Sequence, residues 1–186
     1  MKVLGLCGSP RKNGNTETAL RVALDTLKDK GIETEIILLA EKKVEYCDHC
    51  GNCLEGKQCP KDDDAKEIFE RMQLADGIIV ASPVYYTAVP AQLKALFDRS
   101  IMIRKKLAGK VGGAIAVGQV RNGGQEIVCE QIHQWMITHE MFIVPIRFGG
   151  IVLGSMKDLS AAKRDEVGLN SCRALANKMA ETLLRR

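Results

Sequence analysis

A chain of 186 residues, with 46% hydrophobic and 27% charged residues, is long enough and apolar enough to bury one core, and no stretch has the composition of a disordered segment. A formal net charge of +4, aromatic residues at 4% and the absence of a long Lys/Arg run exclude a nucleic-acid platform. The apolar runs are too short to span a bilayer, and Met1 to Cys7 leads at once into Arg11 and Lys12 with no signal-peptide core, so a cytoplasmic protein away from membranes is expected.

In chain order, 2–7 (KVLGLC) reads as a buried strand. A helix over 15–30 follows, with Ala19, Leu20, Ala23, Leu24 and Leu27 on one face and Gly31 as its stop. Residues 32–39 form a second strand, and 64–74 a short helix entered through the acids Asp62 and Asp63, which suit the positive end of its dipole. A third strand over 76–81 precedes a helix that starts at Pro90 and runs to about Ile103. A fourth strand occupies 111–117, a long helix falls within 122–138, and a fifth strand occupies 141–144. A loop over 145–160 then leads to a last helix with Val167, Cys172, Leu175, Met179 and Leu183 along one face. Strands this apolar, alternating with helices, predict an α/β fold with a parallel sheet covered on both faces. The expected topology is a doubly wound, flavodoxin-like five-stranded sheet of order 2-1-3-4-5, in a single domain over 1–186.

In such sheets ligands sit beyond the carboxyl ends of the strands, so the segments after each strand carry the information. After strand one comes GSPRKNGNT (8–16), a polar turn feeding a helix with hydroxyls on Ser9 and Thr16, an amide on Asn15 and charge on Arg11. That is the chemistry of a phosphate site at a helix start. A Walker A loop would place Lys-Ser/Thr after its second glycine, and a dinucleotide fingerprint would read GxGxxG; neither spacing occurs here. A plain capped turn would need only one polar residue. After strand three, SPVYY (82–86) offers a proline and two tyrosines for a flat aromatic ligand, or for packing against the next helix. After strand four comes GQVRNGGQE (118–126), whose glycines permit close backbone approach.

These three segments, in this order, resemble the NADPH-dependent FMN reductase branch of the flavodoxin-like superfamily. The resemblance implies FMN, with Ser9, Arg11, Asn15 and Thr16 on its phosphate. It places Pro83, Val84 and Tyr85 along the isoalloxazine, and Gly118 and Gly123 close to the ring.

The remaining signal is CDHCGNCLEGKQCP (47–60), four cysteines spaced C-x2-C-x2-C-x5-C-P inside a compact motif over 44–63. Reduced thiols are the rule in a cytoplasm, and an odd total of seven cysteines cannot pair completely, which weighs against a disulfide knot. A zinc site more often joins two separated pairs, with His49 a further candidate ligand in that reading. The spacing is close to the C-x2-C-x2-C-x3-C-P run of bacterial ferredoxins, with a longer last gap, and Gly51 and Gly56 allow the bends a cluster needs. On a flavodoxin-like chain this motif resembles the iron–sulfur flavoprotein family. By that resemblance Cys47, Cys50, Cys53 and Cys59 hold one [4Fe–4S] cluster per subunit.

The motif follows strand two, so it is expected at the same rim as the flavin loops. Strand two is an edge strand, however, which puts the cluster away from its own flavin. The family implies a homo-oligomer, a dimer or tetramer, in which flavin and cluster meet across subunits. Cys7, Cys129 and Cys172 read as packing residues. His133 and His139, six apart, cannot share a metal on one helical face, and Asp98-Arg99 reads as a structural or subunit-contact pair.

The expected function is electron transfer between a one-electron donor such as ferredoxin and a small-molecule two-electron acceptor, with no catalytic acid or base named. Two alternatives stand beside it: an NAD(P)H-dependent FMN or quinone reductase, and a zinc-stabilised flavodoxin-like binding module.

Overall fold

The computed structural model describes residues 1–185. Its strands are β1 (Lys2–Cys7), β2 (Glu33–Leu38), β3 (Gly77–Pro83), β4 (Val111–Gly118), β5 (Phe142–Ile143) and β6 (Gly150–Leu153). Its α-helices are α1 (Asn15–Lys28), α2 (Ala65–Leu74), α3 (Ala91–Arg99), α4 (Gln125–Thr138) and α5 (Glu166–Leu184). All strand pairs are parallel, in the order β2-β1-β3-β4-β5, with β6 also on β4. The doubly wound order read from the sequence is the observed one.

The edge beside β4 corrects the expected fifth strand. Only Phe142 and Ile143 pair there, opposite Val111 and Gly112; the chain then leaves the edge and returns as β6, opposite Ile115 to Gly118. One strand position is thus filled by two short segments, and 145–160 is not simply a loop. Gly149 makes the return possible. Its φ is +104°, and a Cβ there would stand 2.3 Å from the Ala114 carbonyl oxygen, so only glycine lets the chain close onto β4.

Each face of the sheet is dry. On one side Leu4, Leu6, Ile78 and Val80 meet Phe69 of α2, Leu96 of α3 and Ile132 of α4. On the other, Val3, Ile79 and Ile115 meet Leu20 and Leu24 of α1 and Leu175 and Met179 of α5. The interior strand β4 is buried over its whole length, which is why its sequence, VGGAIAVG, shows no polar alternation. Cys7, Cys129 and Cys172 are fully buried among these apolar neighbours, and burial pushes the Cys7 thiol up to about 11. They fill space rather than react.

Two candidate sites and the family

The loops after β1, β3 and β4 enclose a cavity of about 460 Å³ beyond the strand ends, its fourth wall formed by residues that follow β6. Ser9, Arg11, Asn15, Thr16, Pro83, Val84, Tyr85 and Gly118 all line it. Gly123 does not. Its N–H donates to Gln125 Oε1 at 2.8 Å, and a Cβ on it would meet the Val120 carbonyl, so it serves the fold of its own loop. Gly118 has a similar local reason, since a Cβ would collide with the Gln125 side chain.

Helix α1 starts with Gly14 as its N-cap, and no side chain caps it. The first N–H groups of the helix therefore face the cavity end unclaimed by a cap, the arrangement an anion completes. Ser9 Oγ accepts the Arg11 N–H at 3.1 Å and folds the turn. Glu17, 3% exposed, accepts the Asn13 N–H at 2.7 Å and is balanced by Arg21 at 2.7 Å. Asn15 behaves differently from its expected role. Its Nδ2 donates to the carbonyls of Ser155 and Asp158 at 3.0 and 2.9 Å, and its Oδ1 accepts the Ala162 N–H at 2.8 Å. The side chain ties the fourth wall to α1, which leaves only its backbone for an anion. Arg11 reaches the same wall, donating from Nη1 to the Met156 carbonyl at 2.9 Å.

The aromatic rim is a small hairpin. Tyr85 and Ala88 exchange both backbone hydrogen bonds, at 2.9 and 3.0 Å, around Tyr86 and Thr87 with φ of +48° and +60°. Two consecutive non-glycine residues at positive φ store strain, as turns at ligand rims often do. The Val84 N–H donates to the Val117 carbonyl at 2.9 Å and fixes this rim to the next loop. Gly154, Ser155, Met156 and Leu159 complete the lining. None of the four is named by the sequence, which offers 145–160 only as a loop that lids the flavin or joins a subunit contact; the run GIVL followed by Gly-Ser was the available sign of a strand end.

The four motif cysteines line a second cavity, of about 120 Å³, that shares no lining residue with the first. Residues 44–63 carry one short 3-10 turn, Asn52–Glu55, between Gly51 and Gly56, both left-handed at φ of +83° and +75°. Cys47 and Cys50 are exposed, Cys53 and Cys59 half-buried, and all four thiols are free. Among the described residues no three Cys, His, Asp or Glu groups converge tightly enough to grip a single metal ion. The donor set is nonetheless that of a cluster: four thiols from one segment around one cavity, closed behind by Asp98, Arg99, Ile101 and Met102.

That backing moves the thiol site off the expected rim, while agreeing with the expectation that the motif lies away from its own flavin loops. The first cavity lies where the chain enters α3 and the second where it leaves, so a nine-residue helix, about 13 Å long, separates them. Asp63 is also more than a helix-start acid. Besides accepting the Ala65 N–H at 3.2 Å, it forms a buried ion pair with Arg99. Burial pushes its carboxyl up, but Arg99 and the backbone N–H groups of Glu45 and Ala65 outweigh that and hold it below the usual carboxylate range.

Fold and cavities together define a flavodoxin-like protein with a flavin-sized site at the strand ends and a separate thiol site. Residues 1–150 match the family described as NADPH-dependent FMN reductase. An iron–sulfur flavoprotein of Methanocaldococcus jannaschii is 46% identical, over 98% of this chain and 97% of its own. One of Methanosarcina thermophila is 44% identical, over 98% and 95%. In fold, a solved WrbA-like flavodoxin of Agrobacterium tumefaciens has a TM-score of 0.71 at 14% identity, covering 99% of this chain and 97% of that one. The chain belongs to the iron–sulfur flavoprotein family, within the FMN reductases, and is an oxidoreductase. No helix of the described residues is long and apolar enough to cross a membrane.

Proposed function

We propose that the protein passes electrons between a one-electron donor such as ferredoxin and a small-molecule two-electron acceptor, using FMN in the larger cavity and a [4Fe–4S] cluster in the thiol cavity. The observation that carries this reading is that Cys47, Cys50, Cys53 and Cys59 line one cavity while the flavin loops line another. FMN handles one or two electrons and the cluster one at a time, so together they couple the two kinds of carrier.

The chain's own residues supply binding and orientation. The open N–H groups at the start of α1, the Ser9 and Thr16 hydroxyls and the Arg11 charge receive the phosphate. Pro83, Val84 and Tyr85 form a wall for the ring system, held in place by the Val84–Val117 hydrogen bond. The four thiols ligate the cluster, on a motif that Gly51 and Gly56 bend around it. No side chain need move a proton. The separation of the two cavities along α3 supports a homo-oligomer, dimer or tetramer, in which one subunit's cluster serves another's flavin. The reading places this work in the cytoplasm, within a single domain over 1–186.

The match to NADPH-dependent FMN reductases supports a second reading, in which NAD(P)H reduces the flavin and the cluster only carries electrons away. Anaerobic stopped-flow mixing separates the two. Fast flavin bleaching by reduced ferredoxin and indifference to NADPH support the proposal, whereas rapid bleaching by NADPH with no response to ferredoxin favours the second reading.

A further inference from the structure

The mouth of the cysteine segment is drawn shut by Arg99 and Asp63, whose side chains are 2% and 0% exposed. Arg99 Nη2 donates to Asp63 Oδ1 at 3.0 Å, and Nη1 donates to the Glu45 carbonyl at 3.1 Å. Asp63 Oδ2 in turn accepts the Glu45 N–H at 2.8 Å. Residues 45 and 63, which flank the first and last motif cysteines, are thereby pinned to the end of α3.

A clamp would need nothing more, but the guanidinium does more. Its Nη2 also donates to Cys59 Sγ at 3.5 Å. Its Nε is fully buried with no acceptor, and Arg99 lines the thiol cavity. A buried cationic N–H without a partner is costly unless something in the site accepts from it. Sulfur is the acceptor this site holds, as cysteine thiolate and, on the reading above, as cluster sulfide.

We infer that Arg99 is the positioning residue of the cluster site. It orients Cys59, donates to that sulfur, and offers Nε–H to a second sulfur acceptor brought with the cluster. Donors aimed at cluster sulfurs stabilise the reduced, more negative state and raise the reduction potential. Asp63 acts with the opposite sign, because its carboxylate offsets the charge of the guanidinium. This inference rests on the assignment of a [4Fe–4S] cluster to the four cysteines.

The test is an anaerobic redox titration of the cluster in the whole protein, followed optically and by electron paramagnetic resonance, with iron and sulfide counted on each sample. Arg99→Gln should retain wild-type iron and sulfide yet be harder to reduce by at least tenfold in equilibrium constant, about 59 mV for one electron. Arg99→Lys, which keeps charge but loses the planar fork, should fall between. Asp63→Asn should move the potential upward. Should Arg99→Gln fail to assemble, the opposite shifts of Arg99→Lys and Asp63→Asn decide the matter. Intact clusters whose potentials do not move, or move in the same direction in both variants, overturn the inference alone. A wild-type protein without iron or sulfide overturns the cluster reading and this one with it.

Discussion

Asn15 commits its amide to three carbonyl and N–H partners across the chain, at Ser155, Asp158 and Ala162. In sequence it is one more polar residue in a phosphate-like turn, and its partners, 140 or more positions away, leave no local mark. Ser9 and Thr16, by contrast, were legible as cavity residues because a helix start after a buried strand is a place fixed by topology. The distinction has a measurable consequence. Asn15→Ala leaves two carbonyls and one N–H unpaired and should cost about 2–3 kcal/mol in urea unfolding of the FMN-free protein. Arg11→Gln, on an exposed turn, should cost less than about 1 kcal/mol while weakening FMN binding. Equal stabilities for the two variants would show that Asn15 is not the tie described.

At the scale of elements, the strands were readable because a parallel sheet buried on both faces needs unbroken apolar runs, and β1, β3 and β4 supply them. The interrupted edge was not, since β5 and β6 are two and four residues long and owe their pairing to β4 rather than to their own pattern. The junction of α3 and α4 was equally hidden. There Ser100 Oγ lies 2.7 Å from His139 Nε2 and accepts the Trp135 Nε1–H at 2.9 Å, beside Phe97 stacked on Trp135 at 4.4 Å.

Burial holds the pKa of His139 below its ordinary value, and it does the same at His133 against an opposing pull from Glu130. The unfolded chain then binds protons from about pH 6.5 downward while the folded chain resists. Stability should be full above that pH and decline as pH falls toward the folded values. The hydrogen bonds of Asp158 to Arg164 and Ser160 hold its carboxyl down to about 2, so it adds nothing in this window. The Tm should fall between pH 7 and 5.5, with a shallower slope in His139→Gln. A Tm that rises on acidification would contradict this.

For the whole molecule, the sheet order places one cavity at the strand ends, and α3 sets the second apart from it. The order was legible in the alternation of strand and helix patterns. That the motif lies apart from its own flavin loops was also expected, from its place after an edge strand; where it lies was not, because the cysteine segment takes its position from Arg99 and Asp63, partners 36 residues apart that read in sequence as a helix end and a helix start. The motif picks out four cysteines; the ion pair fixes the segment that carries them. What those sulfurs hold decides the chemistry. The most direct measurement is iron and acid-labile sulfide per chain in protein purified without oxygen. About four of each are expected, lost together when a motif cysteine is changed to alanine. About one zinc per chain with no sulfide would contradict that expectation and leave the segment a structural metal site.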